Sequence, residues 1–567
     1  MLKKLKSLLS LNKIDGYIIP KNDEYFSEYS FPDRLRYITK FSGSAGIAII
    51  LQNENLLFID GRYTIQAKKE SGKNFKIYEI SKFKPYSILN KFGQNLKLGY
   101  DPKLFTELSI KKNFEKDLEL VPINFNLIDK LFFYKKNNNT KYFYKLEDKI
   151  SGKNITSKVK NVILKIKKKK IDNLFISSNE NCAWLTNIRG HDQPHSPIPN
   201  CKIILTKKGK IYFFSNPKKI KNIKKLINYG KIEFFNIDQF YYVISKLEGK
   251  SFCIDENSCS IFFKNLILSK FNISCYNDPC EYLKSIKNKT EISNIIKSHI
   301  EDGVALTKFL YWIKKENKEP ITELDAIKKL DKFRKLSPNY LYPSFKTISG
   351  TGPNSAIIHY NVNKQTERKI KKKDIYLCDS GGQYKYGTTD VTRTICFDKP
   401  NIKIKEIFTR VLKGHIAVVN SNLKRDNIGS KIDKKARKSL KEINLDYNHG
   451  TGHGVGYFLN VHEGPQSISK YNKVRIQPGM IISNEPGYYK YNSYGIRIEN
   501  LIYVKRVNRK SIFKNLTLAP IDNDLIDFQM LTKKEKNYLK NYHTEVYKKL
   551  AMFLSFKEKK WLRELIQ

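Results

Sequence analysis

Apolar positions recur along the chain with two periods. Leu2, Leu5, Leu8 and Leu9 follow helical spacing, which predicts an amphipathic first helix. "DGYIIP" and "AGIAIILQNENLLFIDGRY" read as strands, the longer stretch folding back at "QNEN". "SILNKF" and "LIDKLFFY" read as helical, and the polar stretch "KKNNNTKYFYKLEDKISGKNI" reads as a boundary. The same style then returns. "KNVILKIKKKKIDNLFISSNENCAWLTNIRG" and "CKIILTKKGKIYFF" give helix, strand, helix, strand, which predicts a second αβ unit of similar kind. A long helical segment, "PCEYLKSIKNKTEISNIIKSHIEDGVALTKFLYWIKK", leads into a third and larger unit, with Ile292, Ile295, Ile296 and Ile300 expected on its buried face.

Composition narrows the class. The chain has 567 residues, 40% hydrophobic and 28% charged, enough for packed cores and unlike a disordered chain. Lys and Arg number 105 against 55 Asp and Glu, a formal charge of +50. The excess is mostly lysine and is spread from "MLKKLKS" to "KEKKWLREL" without forming one stripe. It reads as a bias in residue usage and as solvated faces, not as a nucleic-acid footprint. Cys182, Cys201, Cys253, Cys259, Cys275, Cys280, Cys378 and Cys396 form no CxxC pair, so reduced, buried thiols of an intracellular protein are expected. No apolar run reaches about 18 residues, so no membrane span is expected, and a cytoplasmic location follows by elimination.

The chemistry gathers in the third unit. "IYLCDSGG" ends a strand at Asp379 and "TTDVTRTICF" starts one at Asp390, with the stretch between them read as a hairpin loop. That places two carboxylates near one end of paired strands, where a proton or a metal must separate them. "NHGTGHGVGYFLNVHEGP" adds His449, His453 and His462, "NEPGYY" adds Glu485, and "GIRIEN" adds Glu499 beside Arg497. "GTGHGVG" lacks GxGxxG spacing, and the histidines lack HExxH spacing. Four carboxylates and one imidazole (Asp379, Asp390, His453, Glu485, Glu499) suit a pair of divalent ions, Mn²⁺ above all, with Co²⁺ or Zn²⁺ possible.

These motifs resemble those of the pita-bread metallopeptidases, and the whole chain resembles the long, three-domain Xaa-Pro aminopeptidase (aminopeptidase P) family. "FSGSAG", "IDGRY", "AWLTNIRG", "TGPNSAIIHY", "DSGGQYKYGTTDVTRT", "GTGHGVGYFLNVHEGP", "NEPGYY" and "GIRIEN" carry the resemblance, with a matching C-terminal tail. It implies an α/β (α+β) chain in four parts: creatinase-like αβ domains at 1–145 and 146–285, a pita-bread catalytic domain at 286–505, and a helical extension at 506–567. It implies that Asp379 chelates one ion, that Asp390 and Glu499 bridge two, and that His453 and Glu485 bind the other. Glu485 would also shuttle a proton for a metal-bridging hydroxide. His359 and His462 would hold the scissile carbonyl, His449 would stand behind the ligands or line the substrate rim, Arg497 would support the metal carboxylates, and Arg62 would contact substrate. The implied substrates are peptides with proline second, and the implied assembly is a homodimer. The alternatives are a prolidase-type dipeptidase or methionine aminopeptidase of the same fold, and a non-catalytic binding module.

Overall fold

The computed structural model describes residues 1–114, 118–132, 141–317 and 319–566. Residues 133–134 of the expected helix "LIDKLFFY" and 135–140 of the polar boundary lie outside them. The chain divides into two compact units, Met1–Asp148 with Lys153–Glu281, and Lys149–Gly152 with Tyr282–Gln567.

The first unit is built on two six-stranded sheets. Strands β1 (Gly16–Pro20), β2 (Gly46–Leu51), β3 (Asn55–Ile59), β4 (Lys76–Glu79), β5 (Leu96–Tyr100) and β6 (Leu118–Pro122) lie in the order β4-β3-β2-β1-β5-β6. Strand β2 runs antiparallel to both neighbours and the remaining pairs are parallel. Both faces of this sheet are covered, which explains the near-continuous apolar runs. Tyr17 and Ile19 point into one core with Leu5 and Leu9 of the first helix, and Ile18 points into the opposite core with Ile49 and Leu98. The second sheet repeats the plan. Asn173–Ile176, Lys202–Thr206, Ile211–Phe214, Ile232–Phe235, Ser251–Ile254 and Asn272–Cys275 occupy the corresponding places in the same order. Its second strand is again the one that runs antiparallel to both neighbours.

The second unit opens with the helix Lys289–Tyr311, started by reciprocal capping between Asn288 and Glu291. Of the four isoleucines expected on its hidden face, only Ile295 is fully buried. The helix also buries His299 and Asp302, because the groups facing Asp302 are polar. Arg334, on the helix Glu323–Arg334, donates from Nε to Asp302 at 2.8 Å and from Nη2 to Ser380 Oγ at 3.1 Å. Tyr384 donates to the same Asp302 at 2.8 Å. One buried ion pair therefore ties two helices to the strand that carries Asp379. A three-stranded sheet (Ile348–Thr351, Tyr376–Ser380, Val391–Ile395) and a five-stranded sheet that includes Gly452–Gly454, Ile481–Asn484 and Asn500–Val507 carry or adjoin Asp379, Asp390, His453, Glu485 and Glu499. Leu539, Tyr542, Val546 and Leu550 of the late helix Lys533–Leu550 share a core with Tyr376, Cys378 and Val391.

Removing one partner of a buried ion pair strands the other charge. Asp302→Ala is expected to cost about 3–5 kcal/mol in urea unfolding. Asp302→Leu combined with Arg334→Met should recover most of that loss. A single substitution costing under about 1 kcal/mol would show that the pair behaves like a solvated surface bridge.

Candidate active site

Strands Tyr376–Ser380 and Val391–Ile395 pair antiparallel, with Asp379 opposite Thr392 and Ser380 opposite Val391. Asp390 immediately precedes the second strand, so both carboxylates come to one end. The stretch between them is more than a loop. Gly382–Tyr384 and Gly387–Thr388 form a hairpin of their own, in a separate sheet with Tyr340–Pro343. The chain crosses tightly at Gly381, where a Cβ would stand 2.0 Å from the carbonyl oxygen of Thr389. No side chain fits there.

Glu499 lies between Tyr494–Arg497 and Asn500–Val507. Thr392 fixes it twice: the Glu499 N–H donates to the Thr392 carbonyl at 3.1 Å, and Thr392 Oγ1 donates to Glu499 Oε2 at 2.8 Å. Glu485 follows Ile481–Asn484, donates its N–H to the Thr451 carbonyl at 2.8 Å and accepts from Ser483 Oγ at 3.1 Å. His453 sits at the centre of Gly452–Gly454, with Nδ1 2.9 Å from the Gly454 carbonyl. A carbonyl only accepts, so Nδ1 carries a proton and Nε2 is the ring nitrogen turned to the acids. That Nε2 lies 3.4 Å from Asp390 and 3.6 Å from Glu485. Ligand atoms of Asp390, His453 and Glu499 all lie within 4.8 Å of one another.

Negative charge outweighs positive charge here. Arg497 donates from Nη2 to Asp379 Oδ2 at 2.6 Å, from Nε to Thr392 Oγ1 at 3.0 Å and from Nη1 to Tyr489 at 2.7 Å. Asp379 Oδ1 is buried and has no hydrogen-bond partner. Burial, with Asp379 and Glu485 nearby and His453 opposing, pushes Asp390 up to about 6. Burial and the charges of Asp390, Glu485 and Asp379 push Glu499 well above the usual carboxylate range. An orphaned carboxylate oxygen, an imidazole nitrogen turned to the acids and an oxygen-rich set short of positive charge fit divalent cations.

The other predicted residues lie around this cluster or apart from it. The His462 ring is 4.3 Å from that of His453, edge to face. His359 is half-buried beyond the short 3-10 turn Gly352–Ala356. His449 Nε2 is 3.0 Å from the Tyr489 hydroxyl, so His449, Tyr489, Arg497 and Asp379 form a continuous chain. Arg62 belongs to the first unit and pairs with Asp60 at 2.8 Å. The sequence reading missed Arg393 and Glu463. Arg393, fully buried, donates to the Glu499 carbonyl at 2.7 Å and to Asn500 Oδ1 at 2.7 Å. An arginine inside the apolar strand "VTRTICF" was its only local signal. Glu463, next to His462, is buried against Lys287 at 2.5 Å and Lys284 at 3.4 Å. A second cluster, Cys396 with Asp522 and Asp524, already holds a cation: Lys314 donates to both carboxylates, at 2.5 and 2.8 Å.

Comparison with known proteins extends this geometry. Residues 293–506 match metallopeptidase family M24, and 511–567 match the C-terminal region of peptidase M24. Residues 1–131 and 135–291 each match the creatinase/prolidase N-terminal domain. Xaa-Pro aminopeptidase 1 of Dictyostelium discoideum is 36% identical over 100% of this chain and 96% of its own. The chain belongs to metallopeptidase family M24. A probable Xaa-Pro aminopeptidase P of Coprinopsis cinerea is 34% identical to this M24 chain over 99% of it and 96% of the relative. The X-prolyl aminopeptidase of Caenorhabditis elegans, described as a cytosolic enzyme with a di-nuclear active site, superposes with a TM-score of 0.92 at 29% identity, covering 100% of this chain and 98% of that one. Prolidase from Pyrococcus furiosus reaches a TM-score of 0.51 at 25% identity, covering 63% of this chain and 98% of its own. The M24 chain thus joins two creatinase-type N-terminal domains to a pita-bread domain. No helix among the described residues is long and apolar enough to cross a membrane.

The raised carboxyl of Asp390 sets a sign for ion uptake. Below pH 6 Asp390 of the ion-free site holds a proton that a cation must displace. Affinity for Mn²⁺ should therefore weaken as pH falls through 6, by up to about tenfold per pH unit for each proton displaced. Calorimetric titration between pH 7.5 and 5 reads this directly; an unchanging dissociation constant would mean that these acids are not the ligands.

Proposed function

We propose that the chain is a metal-dependent aminopeptidase that releases the first residue of peptides whose second residue is proline. The observation that carries this reading is full-length correspondence to X-prolyl aminopeptidase, where the prolidase covers 63% of the chain. In this reading Asp379, Asp390, His453, Glu485 and Glu499 would hold two divalent ions. The oxygen-rich donor set favours Mn²⁺ over Co²⁺ or Zn²⁺. Ions bound there supply Lewis acidity that brings the pKa of water towards neutrality.

The side chains do the rest. Glu485 takes the proton of the attacking water and delivers it to the departing proline nitrogen, a secondary amine that must be protonated to leave. His359 and His462 donate hydrogen bonds to the carbonyl oxygen as its charge grows. Arg497 holds Asp379 in place and is itself held by Tyr489, which His449 contacts. Arg62 is assigned to substrate contact from the resemblance alone. An Xaa-Pro bond has no amide hydrogen, so the site needs no acceptor for one and must admit a rigid ring. The resemblance favours a homodimer. A cytoplasmic setting is supported by eight cysteines that are all free thiols.

Three measurements test the reading. Asp390→Asn should lower bound metal and abolish turnover; wild-type protein that neither binds nor responds to Mn²⁺ would sink the metal assignment. His462→Ala and His359→Ala should keep their metal yet lose about 10²–10³ in kcat. Metal loss in either would make that histidine a ligand instead. Among substrates, Xaa-Pro-Yaa should be cut at least about tenfold faster than Xaa-Ala-Yaa, roughly 1.4 kcal/mol in the barrier. Cleavage confined to Xaa-Pro dipeptides would favour the prolidase alternative.

A further inference from the structure

Glu323 opens the helix Glu323–Arg334, and its carboxylate is completely buried. No cation pairs with it among the described residues. A buried carboxylate without a counter-charge persists only when hydrogen-bond donors satisfy it. Every side-chain partner of Glu323 comes from one stretch, residues 351–368. Oε1 accepts from the Thr351 N–H at 2.7 Å and from Asn354 Nδ2 at 3.1 Å. Oε2 accepts from Asn354 Nδ2 at 2.9 Å and from the Arg368 N–H at 3.0 Å, and lies 3.1 Å from the Tyr360 hydroxyl, whose single proton it shares with the Thr366 carbonyl.

These donors define a path. Thr351 and Arg368 are the two ends of the stretch, and Asn354 and Tyr360 lie within it. One carboxylate therefore closes the loop and pins its interior. The Asn354 and Tyr360 side chains also meet at 2.8 Å, and both reach the Thr366 carbonyl, at 3.0 and 2.7 Å. His359 is the residue immediately before Tyr360, so the bond from Tyr360 to Glu323 constrains the backbone that aims the imidazole. His462 is held by a comparable device: its neighbour Glu463 is buried against Lys287 and Lys284.

We propose that Glu323 is a positioning residue, whose buried carboxylate gathers residues 351–368 and, through Tyr360, holds His359 where it can reach the scissile carbonyl. The inference rests on the reading of His359 given above and adds the group that makes its placement reproducible. A general structural role would give a different signature. A residue that acts only through His359 has nothing left to contribute once that imidazole is gone.

The test is a double-mutant cycle on the metal-loaded enzyme with an Xaa-Pro-Yaa peptide. Tyr360→Phe removes one hydroxyl. Glu323→Gln places an NH₂ against backbone donors whichever way the amide faces. Each should keep its metal and lower kcat by roughly ten- to a hundredfold, the scale expected of a misplaced catalytic group, with KM changed much less. In a His359→Ala background neither should cause a further loss. Equal losses in both backgrounds, or full activity of both single variants, overturns the inference. If Glu323→Gln does not fold, Tyr360→Phe alone decides. Unimpaired kcat in His359→Ala would instead overturn the reading of that histidine, an outcome visible before the cycle is completed.

Discussion

Four carboxylates lie together in the second unit, mostly buried, and mutual repulsion is the constraint on everything around them. Asp379 gains a guanidinium from Arg497, and Glu499 gains a hydroxyl from Thr392. Glu485 gains one from Ser483, while His453 Nε2 stands 3.4 Å from Asp390. These local donors leave the cluster short of positive charge, and burial, followed by the neighbouring carboxylates, pushes Asp390 and Glu499 upward. In the proposed function divalent ions would meet that deficit, and strands ending at a common edge bring the acids together. Thr392 and Ser483, the hydroxyl donors to these acids, stand on the buried strands Val391–Ile395 and Ile481–Asn484.

Much of this was legible in the chain before folding. Short-range periodicity announced the strands, and the acids betrayed themselves by interrupting apolar runs at strand ends. What escaped notice depended on partners far away in sequence. "GGQYKYGTT" read as a loop because its pairing strand, Tyr340–Pro343, lies well upstream. Ile292, Ile296 and Ile300 are half-buried because the hidden side of their helix is given over to Asp302, whose partner Arg334 sits on another helix. Nothing next to Glu323 or Glu463 in sequence marks either as buried, since neither the loop that wraps one nor the lysines that flank the other in space lie beside them in the chain. Local pattern reveals where a side chain is hidden; it does not reveal a charge hidden with its complement.

Substrate preference was the least legible property. Nothing in the spacing of acids and histidines calls for proline, and ring-shaped selectivity must come from walls and distances that no short motif encodes. The N-terminal half bears on the same point. Its two sheets share one strand order, including the same antiparallel member, although their sequences differ throughout. One plan for burying alternate faces has therefore been filled twice with different side chains. Correspondence along the full length, rather than any motif, separates this chain from the shorter prolidases.

Arg393 gives the C-terminal segment a significance that its distance from the acids in sequence would conceal. The guanidinium that supports the Glu499 backbone is itself held by the carbonyls of Ala519 and Pro520, at 2.9 Å each, and by the Tyr542 hydroxyl, also at 2.9 Å. A premature stop or proteolytic cut ahead of Tyr542 would spare every residue expected to meet peptide, yet it would withdraw the keystone from beneath Glu499. Genetic lesions in this tail should thus imitate lesions of the centre itself, and trimmed protein that still turned over peptide at the full rate would show otherwise.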